Sequence, residues 1–182
     1  MPEQEEEKHC AAMFDVIKET TGAAPRGYYI GRHTTRTLAI LAKVHADRGA
    51  PFLYTSDAYN DDLPYWTPAP GRDGGLLVVP YSCSNNDAKF GWANGFGPPD
   101  DLYEQLRSEF DMLYDEGGRM MSVGLHCRFA GKAARAWALK KFLKYVRERI
   151  DRDGYKVWVA TRSEIAQHWA SVHPYKSPSS SS

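Results

Sequence analysis

His126 is the residue whose type best suits proton transfer near neutral pH, because imidazole is the one side chain that ordinarily titrates there. It follows Met120-Met121-Ser122-Val123-Gly124-Leu125, a run that reads as a strand. In parallel α/β folds, ligands gather beyond the carboxyl ends of the strands. Other polar residues hold the same place relative to other apolar runs. Arg32 follows 28–30, Asp57 follows 52–54, and Asn85, Asn86 and Asp87 follow 76–81. Arg128 stands beside His126, and Arg162 follows 155–159. Polar groups thus collect on one rim, where His126 is either a proton-transfer group or a hydrogen-bonded structural histidine. Asp57 directly follows a strand, and a carboxylate there suits holding the His126 imidazole in one orientation.

Arg26, Arg32 and Arg128 suit a clamp on a carboxylate or amide-like substrate, since guanidinium offers a planar fork of donors. Surface ion pairing is the other duty open to them. Trp92 lies with Phe90 and Phe96 on a long loop, 82–99, whose aromatic content suits an ordered cover over a ligand. Asp57, Asp61 and Asp62 are hard-cation ligands by type, but their spacing fits no standard calcium loop, and turn formation explains them better. Cys127 is next to His126, yet neighbours on a strand face opposite ways, so a Cys–His nucleophile is poorly arranged. His9, His33, His45, His168 and His173 read as solvated or packing residues.

These residues need a scaffold, and 182 residues suffice for one domain with a real core. Twenty-three Lys and Arg balance 23 Asp and Glu, which argues against a nucleic-acid binder. Three scattered cysteines are no disulfide framework, and the acidic start is no signal peptide. The longest apolar stretch is far too short to span a bilayer. The expectation is a cytoplasmic protein without a membrane partner.

Periodicity predicts helices over 3–21, 35–48, 100–116, 132–151 and 161–169, and strands over 27–30, 52–54, 76–81, 120–125 and 155–160. Their alternation predicts an α/β fold with about five mainly parallel strands. A closed barrel needs about eight, so the pattern suggests part of one, with an open sheet as the alternative. Residues 1–174 read as one domain and 175–182 as a disordered, serine-rich tail.

The runs Pro25-Arg26-Gly27-Tyr28-Tyr29-Ile30-Gly31-Arg32, Ser56-Asp57-Ala58-Tyr59-Asn60-Asp61-Asp62-Leu63-Pro64-Tyr65-Trp66, Ser84-Asn85-Asn86-Asp87, Met121-Ser122-Val123-Gly124-Leu125-His126-Cys127-Arg128 and Val157-Trp158-Val159 through His168-Trp169 resemble the polysaccharide deacetylase (NodB-homology) superfamily. The likeness is greatest to its allantoinase-like and peptidoglycan-deacetylase-like branch. It implies an incomplete distorted (β/α)7 barrel and hydrolysis of C–N bonds in acetamido sugars or cyclic ureides. By the same likeness, His126 is the general acid, Arg26 orients a catalytic carboxylate and Asp57 tunes the histidine. Asn85 and Asp87 wall the substrate pocket.

The family's early strands carry a catalytic carboxylate motif and a His-containing motif, and this sequence starts after both. The resemblance therefore reads the chain as a C-terminal portion, with little or no activity alone. No cofactor is expected, although a divalent metal belongs to part of the complete family domain. The partners implied are a small-molecule or sugar amide substrate and either a second copy or a full-length homologue. A non-catalytic ligand-binding or subunit-interaction protein is the competing reading.

Overall fold

In the computed structural model, which describes residues 2–70, 74–154 and 156–177, the elements are α1 (Glu3–Thr21), β1 (Gly27–Tyr28), α2 (Thr37–Asp47), β2 (Tyr54–Thr55), β3 (Tyr65–Pro68), β4 (Gly75–Val78), α3 (Asp100–Glu116), α4 (Ala133–Asp153) and α5 (Arg162–Val172). They form two units, residues 1–80 with 160–182, and residues 81–159. No helix among the described residues is long and apolar enough to cross a membrane.

In the first unit, α1 begins with Glu3, Glu5 and Glu6, whose charges oppose the positive end of the helix dipole, and it stops at Gly22. Gly22 has φ 76°, a conformation glycine adopts without a Cβ clash. The sheet runs β1-β2-β4-β3. Strands β1, β2 and β4 are parallel, with Tyr54 opposite Gly27 and Leu77, while β3 is antiparallel to β4. Helices α1 and α2 cover it with Cys10, Phe14, Ile40, Leu41 and Val44, packed with Tyr28, Phe52 and Leu76. His45 is buried among aromatics, stacked on Phe52 and edge-on to Phe14, with Nε2 3.0 Å from the Tyr28 hydroxyl. Burial pushes the Tyr28 phenol up to about 12.

Glu6 is a buried carboxylate that accepts from the Thr34 and Thr37 hydroxyls, with Arg36 Nη2 at 3.5 Å. The Thr37 hydrogen bond, then that of Thr34, holds its carboxyl below the ordinary value. A lowered folded-state pKa contributes stability above the unfolded-state pKa and loses it as pH falls through the folded-state value. Glu6→Gln is therefore expected to flatten the acid limb of the unfolding curve below about pH 4.3, followed by circular dichroism. An unchanged acid limb would contradict this assignment.

The second unit is built on α3 and α4. Leu102, Leu106 and Phe110 recur at i, i+4 and i+8 on α3 and meet Phe142 of α4. Leu139, Val146, Met121, Val123 and Val157 pack around them. At the far end, the Tyr114 hydroxyl donates to Asp153 (2.9 Å), and the Arg149 guanidinium lies 4.4 Å from the Tyr114 ring centre. Leu106 is fully buried, so Leu106→Ala is expected to cost about 2–5 kcal/mol. Urea unfolding measures it, and a loss under about 1 kcal/mol would mean this core is loosely packed.

The structure departs from the sequence reading in several elements. Residues 120–125 form no strand; they make one parallel bridge, Asn86 with Gly124. Nearby, the Ser82 and Ser122 hydroxyls each accept the other residue's backbone N–H (2.9 and 3.0 Å). Serine side chains thus take the place of a backbone ladder. Residues 156–160 form no strand either, and Tyr155 lies outside the described residues. Apolar alternation reports a capacity to pair, and a strand also needs a partner backbone.

Strand β3 lies in a proline-rich segment outside every strand that periodicity predicts. Pro64, Pro68 and Pro70 hide its Tyr-Trp-Thr core, and proline is tolerated because β3 is an edge strand. Leu143 of α4 is 59% exposed, since it sits about 100° around the helix from buried Phe142. No side chain caps α3; Asp101 instead accepts the Gly97 N–H (2.8 Å). In α5 the Thr161–Glu164 capping box is present. Of the expected tail, 178–182 lie outside the described residues, and Tyr175 rests against Trp66 (5.7 Å).

Candidate active site

The second unit holds a carboxylate–imidazole pair. Asp87 opens a 3-10 turn, Asp87–Gly91, whose N-cap Asn86 accepts the Ala88 N–H through its side chain. The Asn86–Gly124 bridge brings the following segment alongside: the Asp87 N–H donates to Gly124 O (3.0 Å) and the Gly124 N–H to Asn85 O (3.1 Å). His126, two residues further on, then meets Asp87. Its Nδ1 lies 2.7 Å from Asp87 Oδ1, while Oδ2 accepts the backbone N–H groups of His126 (2.8 Å) and Ala130 (2.9 Å).

The Asp87 side chain is 0% exposed, whereas that of His126 is 35% exposed. An ionised carboxylate can only accept, so the Nδ1 proton belongs to histidine. That leaves Nε2, with no partner among the described residues, as the ring nitrogen open to the surface. Phe129 stands edge-on to the imidazole (5.8 Å, 84°), and the exposed Arg128 lies 5.0 Å from the Phe129 ring centre. A buried, anchored acceptor and a half-open imidazole are the parts of a general acid–base group.

Asn85 is fully buried and donates through Nδ2 to Glu109 (2.6 Å), which also accepts from the Ser84 hydroxyl (2.7 Å). It therefore braces the loop against α3 and does not line a surface. Trp92 is 53% exposed on the same loop.

The first unit places the other expected residues. Asp57 lies two residues past the end of β2, and its Oδ1 accepts the N–H groups of Ile30 (2.8 Å) and Gly31 (2.7 Å). It thereby ties the turn after β1 to the end of β2, with His33 Nδ1 4.0 Å away. Asp57 was the expected partner of the His126 imidazole; the carboxylate found on Nδ1 is Asp87, which the sequence reading made a pocket wall. Both acids follow apolar runs, so position alone does not choose between them. Arg26 and Arg32 are exposed, and the main chain of Arg26 accepts the Leu53 N–H at 2.7 Å. His33 is the residue near Asp57 that the sequence did not single out. Among the described residues, no group of three or more His, Cys, Asp or Glu side chains is placed to hold a metal ion. The donor set of the described residues thus does not fit a divalent metal.

No family model matches the sequence. A Schizosaccharomyces pombe (strain 972) protein named as a presumptive polysaccharide deacetylase is 39% identical over 189 residues, a match covering 97% of this chain and 58% of that protein. This chain is a relative of the polysaccharide deacetylases. The solved structure of Puue allantoinase superposes with a TM-score of 0.83 at 38% identity, over 97% of this chain and 56% of that one. A probable polysaccharide deacetylase from Pseudomonas aeruginosa PAO1 gives 0.82 at 38% identity, again over 97% and 56%. The chain spans a little over half the length of the relatives it matches. Its mixed α/β architecture, with a mostly parallel four-stranded sheet, corresponds to part of a deacetylase-type fold.

Proposed function

We propose that this deacetylase relative acts on non-peptide C–N bonds, in an acetamido sugar or a cyclic ureide, with His126 as the acid. Water adds to the amide carbonyl carbon, and the C–N bond breaks as protonated His126 gives its Nε2 proton to the departing nitrogen. Asp87 accepts a hydrogen bond from Nδ1–H and so fixes which nitrogen faces the substrate. The observation that carries this reading is the 2.7 Å contact between Nδ1 and a buried carboxylate pinned by two backbone N–H groups. Arg128 and Trp92, of the same unit as His126, are proposed as substrate contacts. Asp57 serves by holding the turn after β1.

The resemblance assigns the water-activating carboxylate to a motif that these 182 residues do not carry. Without such a base the rate is expected to fall by about 10²–10⁴. The test offers allantoin and N-acetylglucosamine oligomers to the purified chain and follows ring opening and acetate release. Weak turnover that vanishes in His126→Ala supports the proposal, and turnover that survives the substitution ends it.

A second reading, a binding or subunit-interaction protein, is favoured by apolar side chains left open on segments that form no strand. Leu125 is 47%, Trp158 58% and Val159 79% exposed. Sedimentation separates the two: a monomer at tens of micromolar removes the support for self-association.

A further inference from the structure

Register between two short segments must come from side chains, because every backbone offers the same N–H and C=O groups. Only one backbone bridge joins Asn86 to Gly124, yet the alignment it sets decides which residue meets Asp87. A slip of one position would present Leu125 or Cys127 there instead of His126.

The structure contains a device that selects the register. A Cβ built on Gly124 would stand 1.8 Å from the Tyr81 hydroxyl and 2.9 Å from Asn86 Nδ2, so glycine alone fits. The Tyr81 hydroxyl, on a buried ring, accepts from Asn86 Nδ2 at 2.6 Å. The other end of that amide, Oδ1, accepts the Ala88 N–H (2.8 Å) and starts the turn carrying Asp87. One asparagine thus joins the Tyr81 hydroxyl, the Asp87 turn and the Gly124 bridge.

We infer that Tyr81, Asn86 and Gly124 form a register lock and are positioning residues for His126. The hydroxyl fills the space that a side chain at 124 would need, so the lock closes only with glycine opposite Asn86. Its functional consequence rests on His126 being the acid; the geometric claim does not.

Long-range ¹H–¹⁵N NMR of the full chain, with His126 assigned through His126→Gln, tests the lock. The unaltered chain should show a single Nδ1–H tautomer for neutral His126. Gly124→Ala should split it into two populations while the far-UV circular dichroism stays native. Tyr81→Phe/Gly124→Ala should recover most of the single tautomer, since the shortest clash, 1.8 Å, is with the hydroxyl. An undivided tautomer in Gly124→Ala, or a double variant no better than the single one, would overturn the lock. Should Gly124→Ala not fold, Tyr81→Phe alone decides: it removes the acceptor of Asn86 Nδ2, and the Nε2–H form should rise several-fold, an unchanged spectrum refuting the claim. Turnover is read separately. If the tautomers behave as stated while His126→Ala keeps its activity, the hydrolase proposal fails and the lock stands.

Discussion

Asp87→Asn is expected to leave the second unit folded and to lower C–N hydrolysis by about 10³–10⁴. The amide keeps the shape of the carboxylate. Its oxygen can still accept the His126 and Ala130 N–H groups that now bond Oδ2. Its NH₂ then faces Nδ1, where Oδ1 now stands. Two donors cannot share that contact, so the imidazole must accept at Nδ1 and carry its proton on Nε2. An imidazolium, with protons on both nitrogens, would clash with the amide, and that is the form needed to protonate a leaving nitrogen. Steady-state rates and the His126 tautomer read by NMR check this together. A variant that folds, retains the Nδ1–H tautomer and keeps its rate would show that Asp87 is not the orienting group. Asp87→Ala should behave differently. It strands two N–H donors, that of Ala130 buried and that of His126 part-buried, a loss of up to about 1–3 kcal/mol each, so it should lower the urea midpoint where Asp87→Asn does not.

His126→Ala is expected to cost about 10²–10⁴ in turnover and about 1–3 kcal/mol in stability, because Oδ1 of the buried Asp87 loses its ring partner. The imidazole is partly open, and only one of the three bonds to Asp87 comes from it; the other two come from the backbone and survive. Thermal unfolding and the rate on the better substrate measure the two effects. A large stability loss with unchanged turnover would make His126 the structural histidine that its position also allowed.

Much of the scaffold was legible in the residue pattern because helical periodicity is a local property. The bounds of α1 follow from Glu3 and Gly22, α3 from the spacing of Leu102, Leu106 and Phe110, and α5 from its capping box. The strands were less legible. Residues 120–125 alternate like a strand and pair only at Gly124, while Tyr65–Pro68 pairs fully despite its prolines. Pairing depends on a distant backbone, which no window of sequence contains.

The same division runs through the candidate site. Residue types alone single out His126 as the group able to move a proton and mark the acids beyond the apolar runs as its candidate partners. Which acid takes that place is a matter of register. Asp57 is bonded to the Ile30 and Gly31 N–H groups, and Asp87 to the His126 ring. The chemistry of a side chain travels with its residue, but its partner is chosen by a contact 39 residues away in sequence, and only tertiary packing makes that contact.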